Sequence, residues 1–235
     1  MSRDAGALIF AVAFPTAAAW LYFVTFADAA FMPAIYSSCK VVQFAFPLVW
    51  VLLHRSEYQG RPAAASRGIT MGTLSGLAIV ILMWTVYLTV IKDSGLALAA
   101  QPRIAARIAA MGAASPARFI ALTLFVSVVH SFLEEYYWRW FVFDRMRTYC
   151  GGSLAVVLSS VAFTGHHVIV LHAFIGPGPY WWVTVVLSIG VALGGGLWAW
   201  LYARNGTLFS PWLSHTLVDL GIMAIGYNLS GGFTS

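Results

Sequence analysis

Long apolar segments alternate with short polar ones along most of the chain. A membrane span needs about 20 mainly apolar residues, and in hydrocarbon every backbone group must find its partner within the segment, so we expect these segments to be spanning α-helices. They lie near residues 6–28, 34–53, 68–91, 117–143, 152–172, 180–203 and 207–229. The pattern predicts an all-α, polytopic transmembrane bundle of about seven spans, in which residues 1–235 form a single integral membrane domain.

Composition supports the same class of protein. Of the 235 residues, 60% are hydrophobic and 9% are charged. A soluble domain carries about 25% charged residues, so this chain has too little polar surface to cover a globule in water. The net charge of +5 does not indicate nucleic-acid binding, because Lys and Arg form no basic stripe and lie mainly in the gaps between apolar segments. We therefore expect the lipid bilayer as a partner and no nucleic acid.

The basic residues in the gaps also predict an orientation. If the spans alternate in direction, seven Lys or Arg residues lie on the side of the N-terminus, and four or five lie on the opposite side. The positive-inside rule then places the N-terminus, the loop that contains Arg61 and the predicted loop that contains Arg145 in the cytoplasm. We expect a multi-pass protein of the plasma membrane with a cytoplasmic N-terminus.

Two pairs of glycines have the spacing that allows helices to approach closely. Gly72 and Gly76 lie in the third predicted span, and Gly190 and Gly194 lie in the sixth. Small residues four apart let two backbones come together in a membrane. We expect these glycines to serve helix packing.

Three acidic residues lie well inside predicted spans, Glu134, Glu135 and Asp219, and Arg139 lies in the same span as the first two. Each charge at the centre of a spanning helix costs roughly 2.5–3.5 kcal/mol, so these side chains are expected to face the bundle interior or a wet cavity. Intramembrane charges with that placement mark a candidate functional site.

The spacing of residues within the fourth predicted span gives the two glutamates different expected partners. Glu135 precedes Arg139 by four residues, which favours an ion pair on one face of the helix. Glu134 is rotated about 100° from Glu135, and His130 lies four residues before it on the same face. One carboxylate is thus expected to be held by arginine, while its neighbour is available for proton chemistry.

Histidines in two later spans complete the candidate site. His166 and His167 lie in the fifth predicted span, and His215 lies one turn before Asp219 in the seventh. A carboxylate one turn away can fix the orientation and tautomer of an imidazole. The site therefore requires the fourth, fifth and seventh spans to pack together.

Structural interpretations stand beside the catalytic one. Glu135 and Arg139 could form a purely structural buried ion pair. His130, His166 and His172 are more often core or interface residues than catalysts. Neither Cys39 nor Cys150 belongs to a CxxC pair, so neither a disulfide framework nor a thiolate metal site is expected.

Three short motifs follow one another on these spans. The first is EExxxR, formed by Glu134, Glu135 and Arg139. The second is FxxxH, formed by Phe163 and His167, and the third is HxxxN/D, formed by His215 and Asp219. In order and placement they resemble the CAAX-protease and bacteriocin-processing (CPBP) family, which includes the type II CAAX prenyl endopeptidases. The resemblance covers about residues 117–229, and the chain ends soon after the third motif, where the prenyl-protease relatives have a further helix.

The resemblance implies an intramembrane glutamate-dependent endopeptidase that needs no metal or other cofactor and acts on a peptide or protein near the membrane. By analogy, Glu134 and His167 activate water, His215 and Asp219 stabilise the oxyanion, and Glu135 and Arg139 support the site. Prenyl-protease relatives typically carry Asn where this chain has Asp219, and an aspartate would more naturally orient His215. The adjacent residues His166 and His167, here called the histidine doublet, offer two imidazoles for the role beside Glu134, although the FxxxH spacing favours His167.

Two other functions remain open at this stage. A zinc-dependent membrane peptidase could use His167, His215 and a carboxylate as ligands, although no HExxH motif is present. A proton-coupled transporter could use Glu134 and the histidines as a relay, although the chain shows no inverted repeat. A non-catalytic immunity or scaffold protein is a third alternative, which the set of three motifs disfavours.

Overall fold

A computed structural model describes residues 3–54 and 68–232. These residues form eight helices and no strand. The helices are α1 (Arg3–Thr25), α2 (Met32–His54), α3 (Ile69–Ile91), α4 (Gly95–Ala110), α5 (Pro116–Cys150), α6 (Gly152–Ile175), α7 (Trp181–Asn205) and α8 (Phe209–Leu229). The chain is therefore a helical membrane bundle, as the alternation of apolar and polar segments predicts.

Six of these helices are long and apolar enough to cross a membrane: α1, α2, α3, α5, α6 and α7. The seventh expected span corresponds to α8, which has 21 residues but is not among the six. Polar side chains on its buried face, including Ser214 and His215, make it less apolar than the others. It packs against α3, α5 and α7, so its polar face is directed at protein.

The fourth span is longer than the sequence predicts. The expected loop at residues 144–147 is instead the last part of the 35-residue helix α5. Its charges are satisfied locally, because Tyr202 donates a 2.8 Å hydrogen bond to Oδ2 of Asp144 and the guanidinium of Arg145 lies 3.8 Å from the ring centroid of Phe141. The other basic loop, around Arg61, lies outside the described residues.

Glycine allows close packing at one of the two expected places. A Cβ atom at Gly72 would collide with the backbone carbonyl oxygen of Ser210, and one at Gly76 would lie 3.0 Å from the backbone of Ser214. These contacts seat α3 directly against α8. The prediction for the other pair is wrong at Gly190, where a Cβ atom would meet nothing within 4 Å.

The helices that carry the candidate residues pack against helices from the first half of the chain as well as against α7. Helix α6 packs against α1, α5 and α7, and α2 packs against α1 and α5. The core between them is aromatic and fully buried, with Tyr137, Trp138, Phe141 and Phe163 each at most 1% exposed. This packing fixes α5, α6 and α8 relative to one another.

Candidate active site

Helix α5 is not a regular α-helix around its two glutamates. It is π-helical over Phe125–His130 and again over Tyr136–Phe143, and the α-helical turn Ser131–Glu135 lies between these stretches. π-Helical turns are rare and occur frequently at functional sites, because the wider turn redirects the side chains around it. The glutamates thus lie on a turn with altered geometry on both sides.

Glu134 is surrounded by imidazoles. Its side chain is 3% exposed, and its Oε1 atom lies 3.3 Å from Nε2 of His130 and 3.4 Å from Nε2 of His166. Its Oε2 atom lies 3.7 Å from Nε2 of His215. One carboxylate therefore contacts histidines from α5, α6 and α8.

Glu135 has a different set of partners. It is fully buried, with Oε2 lying 3.0 Å from Nε of Arg139 and Oε1 lying 2.8 Å from Nδ1 of His215. The pair with Arg139 is the one that the four-residue spacing predicts. The contact with His215 was not predicted, and it links the paired carboxylate to the imidazole of α8.

The guanidinium of Arg139 contacts residues of both α6 and α7. Its guanidinium donates to the backbone carbonyl of Gly195 at 3.3 Å. The same group lies 4.8 Å from the ring centroid of Phe163 and 5.4 Å from that of Trp198, within the range of cation–π attraction. These contacts fix the arginine that in turn fixes Glu135.

His215 lies between three carboxylates. Besides Glu134 and Glu135, its Nε2 atom lies 3.6 Å from Oδ1 of Asp219. Trp198 stacks on the imidazole, with ring centroids 3.8 Å apart and planes 14° from parallel. Because a carboxylate only accepts, the 2.8 Å contact with Glu135 requires the proton on Nδ1. Glu135, rather than Asp219, is the carboxylate that orients this ring most closely.

The two histidines of the doublet are oriented differently. His166 is 3% exposed and directs Nε2 at Glu134. The Nδ1 atom of His167 lies 3.0 Å from the backbone carbonyl oxygen of Phe163. A carbonyl only accepts, so Nδ1 of His167 carries the proton and Nε2 presents a lone pair. His167 thus has the tautomer of a base, while His166 makes the direct contact with the carboxylate.

Part of this arrangement could also hold a metal ion. Glu134, His166 and His167 each offer one ligand atom, and these atoms lie within 4.8 Å of one another. One carboxylate and two imidazoles form a ligand set found in zinc peptidases. This set differs from the one that the sequence suggested, which used His215 in place of His166.

The structure brings the candidate residues of α5, α6 and α8 into one cluster, and it adds contacts that spacing along the chain does not predict. His130 contacts Glu134 as the four-residue spacing predicts, and His166, expected to be a core or interface residue, also contacts Glu134 directly. Lys40 and Gln43 of α2 lie near the same cluster, beside Phe44, whose ring packs edge-on against His130. A lysine and a glutamine inside an otherwise apolar segment are the signal that could have found them.

Comparison with known proteins agrees with this geometry. The sequence model of the family "Type II CAAX prenyl endopeptidase Rce1-like" matches residues 116–221. The matched segment begins with α5 and includes the whole cluster on α5, α6 and α8. Neither the curated proteins nor the solved structures give a match to this chain.

The family match confirms the resemblance that the three motifs carry. The chain is thus a multi-pass membrane protein whose residues 116–221 match the family model of Rce1-like peptidases, which supports a peptidase. This match favours the peptidase over the proton-coupled transporter and over a non-catalytic scaffold.

Proposed function

We propose that this protein is an intramembrane glutamate-dependent endopeptidase, in which Glu134 activates the water that cleaves a peptide of a membrane-associated substrate. The observation that carries the proposal is the environment of Glu134, which is buried and in contact with His130, His166 and His215. A carboxylate fixed among imidazoles can accept a proton from water and pass it on. The match to an Rce1-like peptidase over the same residues supports this use.

The reaction begins with proton transfer. Glu134, assisted by the lone pair of His167, takes a proton from water as the water oxygen attacks the carbonyl carbon of the scissile bond. A tetrahedral intermediate forms, with the negative charge on the former carbonyl oxygen. When the intermediate collapses, the C–N bond breaks and the proton on Glu134 passes to the leaving amine.

His215 is the group best placed to stabilise the oxyanion. In its imidazolium form the ring donates from Nδ1 to Glu135 and from Nε2 toward the site, where Glu134 lies 3.7 Å away. Donors held in a fixed, water-poor environment stabilise developing charge strongly. Asp219, at 3.6 Å from Nε2, acts in this role through His215, because its carboxylate stabilises the imidazolium form, while Glu135 and Arg139 keep the ring in position.

A zinc peptidase is the second candidate, because the buried set Glu134, His166 and His167 is compact enough to bind a cation. In that mechanism Glu134 would be a ligand, and the ion would lower the pKa of the attacking water. We favour the metal-independent mechanism, in which no cofactor is required, because the same carboxylate is already in contact with three imidazoles.

The remaining assignments concern placement. We propose that the chain lies in the plasma membrane with a cytoplasmic N-terminus, because Lys and Arg are more numerous on that side. We also propose one integral membrane domain over residues 1–235, because α1 packs on α6, α2 on α5 and α3 on α8. Cysteine labelling that reaches position 56 only from outside the cell would contradict the orientation and leave the chemistry untouched.

A trapping experiment tests the peptidase itself. Glu134→Gln removes the base while preserving shape, so the variant should bind its substrate without cleaving it. Purification of this variant from its native membrane, followed by mass spectrometry, should yield an intact peptide that wild-type protein converts to two products. If wild-type protein leaves every co-purified peptide intact, the proposal is wrong.

A further inference from the structure

A lysine lies within the second membrane span, outside the segment that matches the family. Lys40 is the ninth residue of α2 (Met32–His54), about 12 Å from the start of the helix at about 1.5 Å per residue. Lysine inside hydrocarbon is costly and usually belongs to a functional site. The α2 segment is long and apolar enough to cross a membrane, so this ammonium requires an explanation.

The ammonium of Lys40 has no carboxylate partner among the residues that the structure describes. Its Nζ atom donates a long, 3.3 Å hydrogen bond to Oε1 of Gln43 and lies 5.9 and 5.5 Å from the ring centroids of Tyr36 and Phe44. These rings lie one turn before and one turn after the lysine. The side chain therefore stays at the level of its own turn and does not extend to the end of the helix, as a lysine that reaches for the lipid headgroups would.

Gln43 supplies a second donor at the same place. It is 1% exposed, and its Nε2 atom has no hydrogen-bond partner among the described residues. Because an ammonium only donates, the amide atom that faces Lys40 must be the oxygen, which leaves the adjacent NH₂ group of the same amide without an acceptor in the described part of the chain. A buried donor without an acceptor costs about 1–3 kcal/mol, so an incoming acceptor would be favoured.

These two donors lie beside the catalytic cluster. Phe44 packs edge-on against His130 with ring centroids 5.7 Å apart, and Nε2 of His130 lies 3.3 Å from Glu134. A peptide whose scissile bond lay at Glu134 would therefore pass within reach of α2.

We propose that Lys40 and Gln43 bind a carboxylate of the peptide substrate. A carboxylate accepts from both groups at once, and it neutralises the ammonium in a medium of low dielectric. Every unblocked peptide carries such a group at its C-terminus, and acidic side chains carry the same chemistry. The inference rests on the proposed function, and it assigns the specificity of that site to a helix outside the family match.

Cleavage of two peptide libraries tests this assignment. Randomised decapeptides are prepared with a free C-terminal carboxylate and, in parallel, with a C-terminal carboxamide, and initial rates are measured below saturation with the full-length protein. Wild-type protein should cleave the free acids at least about tenfold faster, the size expected for a hydrogen bond to a charged group. Lys40→Met should remove this preference by slowing only the acids.

Matched variants separate binding from folding. Lys92→Met changes the other lysine of the chain, which is exposed, and should keep the preference. Gln43→Leu keeps the ammonium and should reduce the preference partly. A third library without Asp and Glu distinguishes the source of the carboxylate: if Lys40 matters only when these residues are present, the bound group is an acidic side chain.

The failures of the two proposals differ. Equal wild-type rates for all acidic and neutral peptides, or equal slowing of free acids and carboxamides by Lys40→Met in the library without Asp and Glu, would overturn the carboxylate site while cleavage itself persisted. No cleavage of any library by wild-type protein would overturn the peptidase and, with it, the assignment of Lys40. Glu134→Gln should cleave none of the three libraries, which would show that the measured activity belongs to this site.

Discussion

The Nδ1 atom of His215 lies 2.8 Å from Oε1 of Glu135, although 80 residues separate them in the chain. The other oxygen of the same carboxylate lies 3.0 Å from Nε of Arg139. Glu135 therefore connects a buried cation of α5 to the imidazole of α8. The second glutamate of the EExxxR motif therefore orients His215 in addition to pairing with Arg139.

Replacing Glu135 by Gln should therefore damage both stability and turnover. The amide can still accept from His215, but its NH₂ group then faces the guanidinium of Arg139, donor against donor. Breaking a fully buried ion pair costs about 3–5 kcal/mol, so the melting temperature should fall. Loss of the partner that orients a histidine should lower kcat by about 10–100-fold, by analogy with metal-bound histidines.

Glu134→Gln is the matched control for that variant, because it makes the same chemical change at the adjacent residue. It should keep the melting temperature close to that of the wild type and lose more activity. Thermal unfolding in detergent checks stability, and kcat on the trapped peptide checks turnover. If Glu135→Gln is as stable as the wild type, the buried pair does not contribute as we describe.

The histidine doublet can be separated by single replacements. His167→Asn should lower kcat by about 10²–10⁴-fold, the range for loss of a general base, because its free Nε2 lone pair assists Glu134. His166→Asn should cost less, since its contact with Glu134 positions the carboxylate. His172→Asn, in the exposed last turn of the same helix, is the control. The reverse order of the two losses would assign the base to His166.

The contact between α3 and α8 gives a prediction about packing. Gly72→Ala places a Cβ atom against the carbonyl oxygen of Ser210, and such overpacking typically costs about 1–3 kcal/mol. Gly190→Ala meets open space and should be neutral or slightly stabilising, because alanine is the better helix former. Melting temperatures of the two variants check this, and equal values would mean that α3 is not seated on α8 as described.

The sequence predicts those features that depend on one helix alone. Long apolar segments define the spans, and a separation of four residues brings Glu135 to Arg139 and His130 to Glu134. The high cost of charge in hydrocarbon also predicts that α8 turns His215 toward the interior. Each of these inferences needs only helical geometry and the properties of the solvent.

Contacts between side chains of different helices cannot be predicted from spacing along the chain. His166 and His167 lie about 100° apart on their helix, so which of them meets Glu134 depends on how α6 is rotated against α5. The π-helical stretches on both sides of Glu134 change that rotation, and no spacing rule predicts them. Lys40 does not stand out in the hydropathy of its span, because a single lysine hardly alters that average.

The most direct test of the account is the cleavage rate of metal-stripped wild-type protein beside that of Glu134→Gln. The two are assayed on the trapped peptide after treatment with a strong chelator, with metal content checked by elemental analysis. We predict that stripped wild-type protein keeps its full rate and that Glu134→Gln loses about 10²–10⁴-fold, as expected for loss of a general base. Loss of wild-type activity on stripping, with recovery on adding stoichiometric Zn²⁺, would contradict the account and make Glu134, His166 and His167 metal ligands.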